Sequence, residues 1–236
     1  MKIKDYTKEC VNFFPNRYSK STGNRYYPDM IVLHNTGGTN ISSAHWWFLD
    51  KASQTSAHFL VGLDGEVRQY VDLRNGAFCN GTSTNEESNA FYKKSTSINV
   101  KSRDFNANLY TVSIEFVGNV NTELTEAQLQ TAVELIRHIQ TEVKDIYGKE
   151  IKLDRKHIIG HYEVAPETRG YCGKKIQFEK IIERLNEKRE HLTVPIPEPA
   201  IPSEEVQPEK NPKTTDKPVL KRRGRVFSLI KRIIKQ

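Results

Sequence analysis

The pattern of apolar and polar positions changes period several times along the chain, and each change marks an element. "MIVLH" is a continuous apolar run that ends on His34 and meets the turn residues Gly37 and Gly38. It reads as a buried strand over Met30 to Leu33. "SAHFLVGLDGEVRQYVD" reads as two strands joined at Asp64-Gly65, a hairpin signal. In "TVSIEF", Val112, Ile114 and Phe116 alternate with Ser113 and Glu115, the period of a strand. The period then becomes helical. Leu129, Val133, Ile136 and Ile139 recur on one side, Thr125 and Gln128 form a capping box, and Gly148 supplies a stop. "ISSAHWWFLDK" predicts a short helix, and "FEKIIERLNEKREHL" a second long one that closes the body. Strands and helices intermix, so the expected fold is α/β, a central mixed β-sheet flanked by helices. The polar stretch from Gly81 to Asn108 has no clear period and reads as a long loop that carries substrate contacts or forms a lid.

Proline then divides the chain. Seven of the ten prolines lie between Pro195 and Pro218, so residues 193–218 read as an extended linker. The expected organisation is an N-terminal extension over 1–24, a folded domain over 25–192, that linker, and a tail over 219–236. Charge follows the same division. From Lys217 onward there are eight Lys/Arg and no Asp/Glu, which leaves 28 basic against 29 acidic residues elsewhere. The basic character therefore belongs to the tail, where Val226, Phe227, Ile230, Ile233 and Ile234 fall at helical spacing among Lys and Arg. Such a helix suits an anionic membrane or an acidic wall polymer; nucleic acid is not expected as a partner, because no aromatic interleaving supports it. No stretch reaches the roughly 18 apolar residues of a membrane span. The N-terminus lacks the apolar core of a secretory signal, so synthesis in the cytoplasm is expected. The three cysteines are too sparse for a disulfide framework and read as free thiols.

The candidate chemistry gathers in "HIIGHYEVAPETRGYC". His161 and Cys172 lie eleven residues apart with Pro166 and Gly170 between them, a spacing that suits two zinc ligands on a loop after a strand. His34, at the exit of its strand, is the best third ligand. His157 precedes His161 by four residues, but no glutamate follows it, so this is not the HExxH motif. His45, His138 and His191 read as ordinary surface or core residues. A Cys172–His161 nucleophile pair is the alternative, although local cysteine-protease signatures are missing. Glu115 has two readings, a solvated strand face or a general base beside the metal.

Taken in order, "IVLHNTGGT", "SAHFLVGLDGEVRQYVD", "VSIEFVGN", "LTEAQLQTAVELI" and "IIGHYEVAP…C" resemble the type-2 N-acetylmuramoyl-L-alanine amidases. That family includes phage lytic amidases, bacterial autolysins and peptidoglycan recognition proteins. The resemblance implies Zn2+ held by His34, His161 and Cys172. It implies hydrolysis of the amide between N-acetylmuramic acid and L-alanine, with Glu115 catalytic. Peptidoglycan is then the partner and the bacterial wall the place of action, as for an endolysin or an autolysin. A recognition module that binds wall fragments without cleaving them is the alternative. Four positions depart from the family pattern. Cys172 is followed by Gly173-Lys174 where relatives read Pro-Gly. Gly170 stands where many carry an oxyanion-stabilising lysine, which leaves Arg169 as the replacement. Ala57 stands where some carry tyrosine, which shifts the catalytic weight to Glu115. Cys79 replaces a usual histidine, with no role assigned.

Overall fold

The computed structural model describes residues 1–15 and 26–187, together with the backbone of a small strand pair at Tyr18–Ser19 and Asn24–Arg25. The linker over 193–218, the tail over 219–236 and His191 lie outside the described residues.

Among the described residues, ten strands run in chain order: β1 (Ile3–Asp5), β2 (Phe13–Phe14), β3 (Tyr18–Ser19), β4 (Asn24–Arg25), β5 (Met30–Asn35), β6 (Phe59–Val61), β7 (Val67–Gln69), β8 (Gly76–Ala77), β9 (Thr111–Phe116) and β10 (Ile158–Gly160). The six-stranded main sheet has the order β1-β7-β6-β9-β5-β10. Strands β6, β9, β5 and β10 are parallel, and β7 turns back antiparallel to β6. This is the mixed sheet that the patterning predicts. The Asp64-Gly65 hairpin joins β6 to β7, with Gly65 at φ 84° in the region glycine favours. The expected N-terminal extension contributes to the same sheet: β1 pairs in parallel with β7 and covers its edge.

The helices are α1 (Ile41–Leu49), α2 (Ile98–Lys101), α3 (Glu126–Tyr147), α4 (His161–Val164), α5 (Pro166–Arg169) and α6 (Phe178–Asn186). Helix α3 starts where the sequence predicts. The Thr125 hydroxyl accepts from the Gln128 N–H at 3.1 Å, and the Gln128 side chain accepts from the Thr125 N–H at 3.1 Å. Its end is Gly148, at φ 64°.

Side-chain parity divides the sheet into two faces. Ile31 and Leu33 of β5, Phe59 and Val61 of β6, and Val112, Ile114 and Phe116 of β9 pack with α3 and α6 in the largest core cluster. Met30 and Val32 belong to a second cluster with Val100, Ala107, Tyr110 and Val164. His34, Ser113 and Glu115 fall in phase with this second face. The segment between β8 and β9 covers this face around Met30 and Val32, and Glu115 at its end borders a cleft. Ser113 is 1% exposed, and its N–H donates to His58 Nδ1 at 3.0 Å. The bidentate ion pair from Arg103 to Asp29, at 2.8 and 2.6 Å, ties that covering segment to the start of β5. Burial on both sides is usual for parallel strands, and it puts polar side chains of this face into the interior. Among the described residues, no helix is long and apolar enough to cross a membrane.

Candidate metal centre

Three parallel strands end at one level. In the register of β5 and β9, His34 stands opposite Glu115. Gly160 of β10 stands opposite Leu33, and His161 follows it directly. The carboxyl ends of adjacent parallel strands therefore deliver two histidines and a carboxylate to one place, where open α/β sheets bind their ligands. The His34 and His161 rings lie 4.4 Å apart between centroids, and both are buried. Glu115 Oε1 is 3.7 Å from His34 Nδ1.

Cys172 reaches the same place through the turn that follows α5. Its N–H donates to the Arg169 carbonyl at 2.9 Å, and its own carbonyl accepts from the Tyr162 N–H at 3.0 Å. Cys172 Sγ lies 3.7 Å from His34 Nδ1. The next residue fixes this approach. Gly173 has φ 79°, and a Cβ there would sit 2.5 Å from the Leu33 carbonyl oxygen. Proline, locked near −65°, cannot take this conformation, so the Cys-Gly pair makes a different turn from Cys-Pro. Gly170 is constrained as well, since a Cβ there would lie 2.8 Å from the Pro166 carbonyl oxygen. This turn does not accommodate a lysine at position 170 without a shift. Arg169, one residue earlier and exposed, lines the same cleft as His34, Glu115, His161 and Cys172. Its positive charge acts on all four groups.

The cleft has a volume of about 950 Å³ and its floor is electrically unusual. Burial lowers the pKa of His34 to about 3 and that of His161 well below the ordinary histidine value. Burial pushes the Cys172 thiol up to about 12 and the Glu115 carboxyl up to about 7. Protein alone thus favours two neutral imidazoles, a protonated thiol and a carboxyl that resists ionisation. A cation fits such a set: it needs neutral histidines as donors and compensates the charge of a thiolate. The donor atoms of His34, His161 and Cys172 all lie within 4.8 Å of one another, and so do those of His34, Cys79 and Glu115. Glu115 Oε2 is buried and without a hydrogen-bond partner among the described residues.

The family model described as N-acetylmuramoyl-L-alanine amidase matches residues 24–175. The chain belongs to this family. Among solved structures it is similar to a selenomethionine derivative of AmpD, with 19% identity, a TM-score of 0.52, and coverage of 78% of this chain and 93% of that one. It is also similar to an E90A mutant of PlyL, with 13% identity, a TM-score of 0.50, and coverage of 80% and 100%. A third is the N-acetylmuramoyl-L-alanine amidase LysC from Clostridium intestinale URNW, with 20% identity, a TM-score of 0.49, and coverage of 80% and 99%. At these identities the likeness concerns the fold. Comparison with curated proteins finds no match.

In this amidase fold, the residues singled out from the sequence come together: His34, Glu115, His161, Arg169 and Cys172 line one cleft. His157 stays outside it, with Nδ1 bonded to Asp154 at 2.6 Å. His45 is a satisfied core histidine, with Nδ1 2.8 Å from the Tyr70 hydroxyl. Sequence reasoning noted Cys79 as a departure but assigned it no role; its Sγ lies 3.5 Å from His34 Nε2 and 3.8 Å from Glu115 Oε1. The signal was present in "FCNG", directly after a short strand, but nothing local ties that segment to His34.

Gly148 and Gly173, both at positive φ, separate backbone strain from steric clash. Gly148→Ala meets nothing within 4 Å and is expected to cost about 1–2 kcal/mol. Gly173→Ala adds the collision with Leu33 and is expected to cost more, with an additional loss of about 1–3 kcal/mol. Urea denaturation of the metal-free protein measures both; equal costs would mean that the backbone at Cys172 yields freely.

Proposed function

We propose that this chain is a zinc-dependent hydrolase of the amide between N-acetylmuramic acid and L-alanine in peptidoglycan. The observation that carries this reading is the meeting of His34, His161 and Cys172 beside the unpaired Glu115 oxygen, on the floor of an open cleft. Family membership supports the bond class and the substrate.

His34, His161 and Cys172 are the residues that would hold the ion. A donor set of two nitrogens and one thiolate suits zinc, and three protein ligands leave a position open. A zinc ion in such a set supplies Lewis acidity toward water and carbonyl oxygens. The remaining work falls to the protein. Glu115, through Oε2, takes a proton from the attacking water and returns it to the leaving amine of L-alanine. Burial raises its proton affinity, which matches a group that must both accept and release a proton near neutral pH. Arg169, at the rim, carries positive charge toward the carbonyl oxygen as it becomes an oxyanion. The cleft walls hold the glycan–peptide junction in line with these groups.

Sequence alone supports the remaining assignments. The linker over 193–218 tethers the basic segment 219–236, which holds the domain at an anionic membrane or wall polymer. The protein then acts on the bacterial wall as an endolysin or an autolysin.

Two outcomes are expected. Purified peptidoglycan digested with the zinc-loaded protein should release stem peptides that begin with L-alanine, identified by mass analysis. Chelator should stop the reaction. Glu115→Gln should keep its metal and lose about 10²–10⁴-fold in rate. Intact muramyl–alanine linkages after exhaustive digestion would exclude the amidase and leave a wall-binding module. The second outcome concerns pH. Cys172 holds its thiol proton with a pKa of about 12, whereas His34 and His161 are already neutral. Metal uptake must expel the thiol proton, so zinc affinity should rise with pH, about tenfold per unit for each proton released. Competition titration at two pH values near neutrality measures this, and a pH-independent affinity would contradict a thiolate ligand.

A further inference from the structure

The first residues of the chain precede the match to the family model, which begins at residue 24. They nevertheless build part of the cleft. Strand β2 pairs with β8, with Phe13 opposite Ala77 and Phe14 opposite Gly76. This pairing sets the Phe14 ring edge-on to the Phe78 ring, with centroids 4.6 Å apart and planes at 76°. That arrangement is favourable for two aromatic rings. Both rings line the cleft, together with Gln54 and Thr55. Phe14 keeps 37% of its surface open to solvent.

The same segment fixes the loop that carries Gln54 and Thr55. Asn12 is 3% exposed, and its Nδ2 donates to the carbonyls of Asp50 at 2.9 Å and Thr55 at 3.3 Å. The Asn12 carbonyl accepts from the Ser56 hydroxyl. That hydroxyl oxygen accepts from the Phe78 N–H at 3.0 Å. Between these anchors Gln54 holds φ 48° and ψ 33°. Among the described residues it is the one non-glycine at positive φ. Such a backbone persists where its surroundings determine it, and it is typical of ligand sites. Hydrogen bonds through Asn12 and Ser56 thus join β2, β8 and the Gln54 loop into one supported wall.

We propose that this wall is a subsite for the glycan part of the substrate, with a sugar ring packed on Phe14. The wall adjoins the reacting centre, since Phe78 directly precedes Cys79, whose Sγ lies 3.5 Å from His34 Nε2. A substrate cut at that centre extends from it as glycan in one direction and as stem peptide in the other. Phe14, Gln54, Thr55 and Phe78 are all uncharged, whereas Arg169 of α5 brings positive charge to another part of the lining. N-acetylated sugars are uncharged as well. Their C–H faces pack on aromatic rings, and their hydroxyl and acetamido groups suit Gln and Thr side chains. Stem peptides carry carboxylates, which suit the Arg169 side. This inference rests on the reading of the cleft as a peptidoglycan site.

Calorimetric titration of the zinc-loaded, full-length protein with two separate probes tests it without reference to activity. One probe is the peptide-free disaccharide of N-acetylglucosamine and N-acetylmuramic acid. The other is the sugar-free stem peptide that begins with L-alanine. Phe14→Ala should weaken the disaccharide about 3–10-fold and leave the stem peptide unchanged. Phe14→Tyr, which keeps the ring, should bind the disaccharide as the wild type does. Unchanged disaccharide affinity in Phe14→Ala would overturn the proposal, and so would an equal loss for both probes, the mark of a structural role. Loss of the stem peptide alone would overturn it too and assign the wall to the peptide. A wild-type protein that binds the stem peptide but not the disaccharide would overturn the glycan subsite and leave the peptidoglycan reading standing. One that binds neither probe would overturn that reading, and the proposal with it.

Discussion

The parallel pairing of β5 with its two neighbours is the constraint on which everything else depends. Six residues, Met30 to Asn35, pair with Thr111 to Phe116, and that register sets His34 beside Glu115. Three pairs with β10 bring His161 to the same level. Because side chains alternate, a slip of β5 by one residue would turn His34 into the α3 core and bring Ile31 and Leu33 onto the polar face. The register is protected by that core. Ile31 and Leu33 are buried against α3 and α6, so a slip of β5 would take both out of that core and put His34 into it. The chemistry of one face is positioned by the hydrophobic packing of the other.

Burial on the polar face does a second job. It removes water from two histidines, two cysteines and a carboxylate, and so favours their neutral forms. An environment of this kind is unfavourable to lone charges and favourable to a cation with an anionic donor. The same desolvation raises the proton affinity of Glu115 toward neutrality. One physical cause thus prepares both the donor set and the candidate base. Arg169 supplies the compensating charge from the cleft rim.

Much of the fold was legible locally. The α3 boundaries follow from Thr125, Gln128 and Gly148, and the β6–β7 hairpin from Asp64-Gly65, because each depends on residues close in sequence. His34, His161 and Cys172 were legible through motif order and strand-end position. What was hidden depends on distant partners. The alternation in β9 left open whether Ser113 and Glu115 face solvent, and only the covering segment between β8 and β9 closes that face. The pairing of β1 with β7 spans more than sixty residues and has no local signal. Cys79 showed only as a departure from the family pattern, and its proximity to His34 is created by the fold. The glycines at 170 and 173 look like neutral departures in a linear pattern. In space they are set by the Pro166 and Leu33 carbonyls.

The central claim is that the ends of β5, β9 and β10 together build a metal centre. A crystal structure of the zinc-loaded protein, with anomalous data collected on both sides of the zinc edge, tests it most directly. The account predicts one strong anomalous peak bonded to His34, His161 and Cys172, beside Glu115. A peak at another set of residues, or no peak in protein that carries stoichiometric zinc in solution, would contradict it.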